Sequence, residues 1–100
     1  MQNSEVYSLL GLATRARKTT TGEAVLQSIK TKTASLVIIA NDASENTKKK
    51  LTDKCTFYQI EYVFYGDIDS LSHAIGKHNR VSVAVNDKGF AIKIKSKLGG

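Results

Sequence analysis

The chain has 100 residues, 41% of them hydrophobic, and carries 15 Lys and Arg against 9 Asp and Glu for a net charge of +6. That length holds one core rather than two, the apolar content excludes a disordered chain, and no apolar run approaches the ~18 residues that span a bilayer. One cysteine excludes an internal disulfide, and an amphipathic start carrying Glu5 is unlike a cleavable signal. A single cytoplasmic domain over residues 1–100 is expected.

Ser4 is placed to cap a first helix whose apolar face is Val6, Leu9, Leu10 and Ala13. Arg15, Arg17 and Lys18 end it with the positive charge that a helix C-terminus favours. Thr19-Thr20-Thr21-Gly22 reads as a short extended piece and a turn, with Thr21 capping a second helix that buries Val25, Leu26 and Ile29. Leu36 to Ala40 is an unbroken apolar run, too short for a helix and rich in β-branched residues, as in a strand covered on both faces. Asn41-Asp42-Ala43-Ser44 stops it, and Ser44 or Asn46 opens a third helix through Tyr58 with the stripe Thr47, Leu51, Cys55, Tyr58.

Ile60 to Tyr65 alternates and is β-rich. After Gly66-Asp67, Asp69 or Ser70 opens a short helix through Leu71, Ala74 and Ile75, ending at Gly76, which tolerates a left-handed conformation. Lys77-His78-Asn79-Arg80 is a polar loop and Val81 to Val85 the last clear strand. In the tail, Phe90, Ile92 and Ile94 alternate like a strand, while Phe90, Ile94 and Leu98 repeat like a helix; periodicity leaves both open. Alternating helices and strands make an α/β protein, a three-layer α/β/α sandwich on a central mixed four-stranded sheet.

No phosphate loop, dinucleotide fingerprint, metal-spaced Cys/His cluster or nucleophile elbow is present, so neither an enzyme nor a cofactor is expected. Cys55 lies on an apolar stripe and reads as core, and Asp67 with Asp69 as helix-opening acids. The charge favours a polyanionic partner over a membrane surface, for which a basic helix with bulky aromatics is lacking. Three polar loops, Thr19–Glu23, Asn41–Ser44 and Lys77–Arg80, are expected to meet on one positively charged rim of the sandwich. RNA with bases exposed by a bulge or kink suits such a rim, because regular duplex hides its base edges.

The segments TGEAVLQSIK, LVIIANDASENTKKKLTDKC and LSHAIGKHNRVSVAV, with LLGLATRARK and NDKGFA, resemble the ribosomal protein seven-Ae/thirty-e superfamily of kink-turn RNA-binding type, in its YlxQ-like bacterial branch. The resemblance covers nearly the whole chain and implies a sandwich that binds structured RNA without catalysis. It favours a helix for the tail. By position it implies an RNA surface of Thr20, Thr21, Gly22, Glu23 and Gln27, then Asn41 and Asp42, then Lys77, His78, Asn79 and Arg80, with Lys18 and Lys48 as outer contributors. The conventional Asn-Glu or Lys-Gln pair of the second helix reads Glu23-Ala24 here, Gln27 stands where lysine is often found, and the Leu-Gly pair before the last loop reads Leu71-Ser72. The implied role is a ribosome- or translation-associated ribonucleoprotein component, with ribosomal or translation proteins as further partners. The alternative is a protein-interaction module on the same sandwich that has lost conventional kink-turn specificity.

Overall fold

The computed structural model describes residues 4–98 as α1 (Ser4–Arg15), β1 (Thr19–Thr21), α2 (Ala24–Lys30), β2 (Leu36–Ile39), α3 (Glu45–Tyr58), β3 (Tyr62–Phe64), α4 (Ile68–Ala74), β4 (Ser82–Val85) and α5 (Lys88–Leu98). β2 takes the centre because nothing in it is polar: Leu36, Val37, Ile38 and Ile39 are all fully buried. Side chains of a strand alternate between the two sheet faces. Leu36 and Ile38 therefore pack with Val83 and Val85 against Val6 and Leu10 of α1, Leu71 of α4, and Ala91 and Ile94 of α5. Val37 and Ile39 pack with Ala84 on the other face, against Val25 and Ile29 of α2 and Leu51 and Cys55 of α3. Helices thus cover both faces of one sheet, the three-layer arrangement that the alternation implies. Each fully buried Val, Leu or Ile contributes roughly 1.5–3 kcal/mol.

The sheet order is β1-β4-β2-β3. β3 runs parallel to β2, while β4 runs antiparallel to both β2 and β1, so the sheet is mixed. β3 is an edge strand of three residues, shorter than the alternation of residues 60–65 suggests. Its Tyr62 and Phe64 are more than one-third exposed, and Val63 packs inward.

Three helix starts settle or correct the sequence reading. Thr21 does not cap α2: it pairs with Val83 inside β1, and Glu23 takes the cap position without a side-chain hydrogen bond. Pairing with β4 holds the Thr21 backbone in the sheet, and Gly22 makes the turn at φ +68°. Ser44 caps α3 by accepting the Thr47 N–H at 3.2 Å, and Asn46 lies within the helix. Asp67, rather than Asp69 or Ser70, caps α4 by accepting the Ser70 N–H at 2.7 Å. The capping expected of the Ser4 side chain lies outside the described residues. Gly76 follows α4 at φ +69°, the left-handed conformation anticipated for it. The tail is helical, because the Asp87 carboxylate accepts the Phe90 N–H at 2.9 Å and opens α5.

Among the described residues, no helix is long and apolar enough to cross a membrane. Cys55 is fully buried, and burial pushes its thiol up to about 11. Below that pH the reactive thiolate is scarce. Native protein at pH 8 should therefore resist iodoacetamide, and unfolding in guanidinium should release one fast-reacting thiol, read by mass spectrometry. Ile38→Ala should cost about 2–5 kcal/mol in chemical denaturation by opening a cavity at the sheet centre.

Candidate nucleic-acid interface

Strand direction decides which loops meet. Because β1, β2 and β3 run one way and β4 the other, the C-terminal ends of the first three lie beside the N-terminal end of β4. Thr21 is opposite Val83, and Ile39 is flanked by Ser82 and Phe64. The turns after Thr21 and Ile39 and the loop before Ser82 therefore leave the same end of the sheet. Two of the three expected loops, Asn41–Ser44 and Lys77–Arg80, meet there in full. The third contributes only its Gly22–Glu23 half.

The Lys77–Arg80 loop is fastened from beneath. The Ser72 side chain of α4 is buried, and its Oγ accepts the Arg80 N–H at 2.8 Å. The Lys77 N–H donates to the Ser72 carbonyl at 2.8 Å. Asn79 adopts φ +53°, and the Arg80 guanidinium folds back to donate Nη1–H to the His78 carbonyl at 3.2 Å. Lys77, His78 and Asn79 are left exposed. They line a cleft of about 630 Å³ together with Tyr7, Asp69 and His73.

The other rim residues divide by what holds them. Asn41 is exposed while its N–H donates to the Gly66 carbonyl at 2.9 Å. Asp42 is engaged structurally: its Oδ1 accepts the Ile68 N–H at 2.9 Å, tying the turn after β2 to the start of α4. Gly22, Glu23 and Gln27 are exposed at the start of α2. One helical turn separates Glu23 from Gln27, so the carboxylate and the amide share a face. Lys48, in the first turn of α3, lies 3.6 Å from the Glu45 carboxylate and 5.8 Å from the centre of the Phe64 ring.

Three expectations do not hold. Lys18 stands at the opposite end of the sheet, where its carbonyl accepts the Asn86 N–H at 2.7 Å. The three residues of β1, at ~3.3 Å each, hold it away from Gly22. Thr20 is half-buried, and its hydroxyl accepts from the Asn86 amide, so that group faces the protein. The rim is not uniformly positive either. Glu23, Asp42, Glu45 and Asp67 stand there beside Lys48, Lys77 and Arg80, because α2, α3 and α4 all start at this end and helix N-termini favour acids. Ser72, a departure from the family pattern in sequence, is the anchor of the loop. A serine on the stripe Leu71, Ser72, Ile75 was its one signal.

Residues 4–95 match the ribosomal protein L7Ae/L30e/S12e/Gadd45 family. The RNA-binding protein YlxQ of Bacillus subtilis (strain 168) is 48% identical over 99 residues, covering 98% of this chain and 99% of that protein. The RNA-binding protein YlxQ of Enterococcus faecium is 40% identical over 97 residues, covering 96% and 93%. Among solved structures, a Bacillus halodurans protein of unknown function superposes with a TM-score of 0.93 at 43% identity, over 98% of this chain and all of that one. The Giardia lamblia 15.5kD RNA binding protein superposes with a TM-score of 0.78 at 20% identity, over 99% and 89%, a likeness of fold.

Ser72→Ala leaves the half-buried Arg80 N–H without its acceptor, at a cost of about 1 kcal/mol. The Arg80 amide should then exchange with solvent faster than in the wild type. Asp42→Ala removes a capping acceptor from α4 and should cost about 1 kcal/mol in thermal denaturation.

Proposed function

Because the chain belongs to the ribosomal protein L7Ae/L30e/S12e/Gadd45 family, we propose that it is a non-catalytic protein that binds kinked or bulged RNA through the rim at the ends of β1, β2 and β3. The observation that carries this reading is the convergence of Gly22–Glu23, Asn41 and Lys77–Arg80, which sequence separates widely and the sheet brings to one end. The RNA-binding names of the two YlxQ relatives support the partner class. The work is cytoplasmic and associated with the ribosome or with translation.

The chemistry of the rim fits bases better than a bare backbone. A carboxylate accepts from the donors on the Watson–Crick edge of guanine, which is Glu23's role; Gln27 and Asn41 supply amides that both donate and accept. Such edges are open only where the RNA is bulged or kinked. Lys77 and Arg80 hold phosphates at the margin, and His78 and Asn79 stand beside them. Ala24 has no polar atom for a base, so Gln27, one turn on, is the amide that accompanies Glu23. The acids of the rim have a consequence too: they penalise a phosphate backbone laid across it and favour RNA that presents bases there.

Contacts to phosphate position an RNA, and contacts to base edges discriminate. Arg80→Ala should weaken a panel of bulged RNAs alike and lower the salt slope by about one. Glu23→Ala should cut discrimination within that panel by about 1–3 kcal/mol. Fluorescence anisotropy across the panel separates the two, and an equal loss for every RNA with Glu23→Ala would refute base reading.

A further inference from the structure

We infer that the end of the sheet opposite the rim is a second RNA contact, one that grips the sugar–phosphate backbone of duplex RNA without reading bases. The inference rests on RNA being the partner and adds a site to it. Arg15 ends α1 here, with Arg17 and Lys18 between it and β1; Lys30 ends α2, with Lys32 before β2; and Lys88 opens α5 after β4. The acids at this end are occupied. Glu61 pairs with Lys95, and Asp87 caps α5 through the Phe90 N–H. Among the described residues, none of those six cations is in an ion pair. The chain's excess positive charge is therefore concentrated away from the mixed-charge rim.

Arg15 and Lys30 have a structural explanation, since they end helices whose C-termini favour cations. Arg17, Lys32 and Lys88 occupy places that local structure would give to other residues. Arg17 and Lys32 adopt φ +61° and +60°, where glycine or asparagine is the usual choice after a helix. Lys88 is the first residue of α5, whose first turn holds no acid, although a helix N-terminus disfavours a cation. Crowding these charges also adds mutual repulsion. A polyanion laid on this end relieves the repulsion among these cations and the mismatch of Lys88 with its helix start. Lys32 and Lys88 further line one groove of about 340 Å³, between α5 and the turns that enter β2 and β3, with Lys95 on its wall. Glu61, the one acid of that lining, is paired with Lys95, which leaves Lys32 and Lys88 to meet a phosphate backbone.

The test uses the full chain and two probes, a plain A-form duplex and a bulged hairpin whose stem of a few base pairs is too short to span the two ends, titrated across a salt series. The variant is Lys32→Gly combined with Lys88→Glu. Glycine suits φ +60° and an acid suits a helix start, so its melting temperature should equal or exceed that of the wild type. Duplex affinity should fall about tenfold at ~0.1 M salt, and the slope of log K against log salt should flatten by about 1–2, while hairpin binding stays unchanged. Lys18→Gln with Lys88→Gln should act in the same direction. Unchanged duplex affinity and slope in both double variants would overturn the inference, as would equal weakening of both probes. Failure of the wild type to bind the hairpin would instead count against the rim, and Glu23→Ala should leave duplex binding as it was.

Discussion

Four residue pairs, Leu36 with Val85 through Ile39 with Ser82, join β2 to β4 in antiparallel register at the buried centre of the sheet. Every residue in both strands is buried, so a slip of one position would turn each side chain to the wrong layer. That register fixes where the chain must enter β4 and where it must leave β2. The Lys77–Arg80 loop is thereby set beside Asn41, and the Ala40 N–H bonds the Val81 carbonyl across the gap at 2.9 Å. β1 joins on the far side of β4 and β3 on the far side of β2, and each brings its own turn to the same end.

Charge follows helix direction. α2, α3 and α4 start at the rim while α1 and α2 finish at the opposite end, so acids gather at the free N–H groups of the rim and Arg15 and Lys30 at the free carbonyls, with Lys88 at the start of α5 the exception. The result is a molecule with two unlike ends. One carries short polar side chains on a surface of mixed sign, and the other carries six cations that, among the described residues, are in no ion pair. A net charge read from composition is blind to this division. It suggested a positive rim, whereas the loops that best match a base-reading surface are the ones hedged with carboxylates.

What was legible in the residues was local. Leu36 to Ala40 announced a buried strand because five consecutive apolar residues leave no solvent face. The stripe Leu51, Cys55 placed the thiol in the core, and Gly76 marked a helix end by the one conformation it tolerates cheaply. The separations that matter most were silent. Nothing near Asp42 indicates that its carboxylate will cap a helix 26 residues later, and nothing near Ser72 announces the Arg80 amide. Only Thr19, Thr20 and Thr21 separate Lys18 from Gly22 in sequence, yet as a strand those three residues are enough to carry it to the other end. Thr21 looked like a cap because threonine before a helix usually is one. Pairing with Val83, more than sixty residues away, decided otherwise.

Of the four described strands, the one that fills the gap between β1 and β2 is the last to be synthesised. Until Ser82 to Val85 clear the exit tunnel, Thr19 to Thr21 have no neighbour to bond, and β2 exposes one whole edge. The nascent chain can assemble β2, α3 and β3 as a parallel unit on its way out, but its N-terminal third must wait for its final quarter. Closure is thus a late, long-range event, which contact order makes slow. A chain released before Ser82 would leave β1 and one edge of β2 without the strand that joins them.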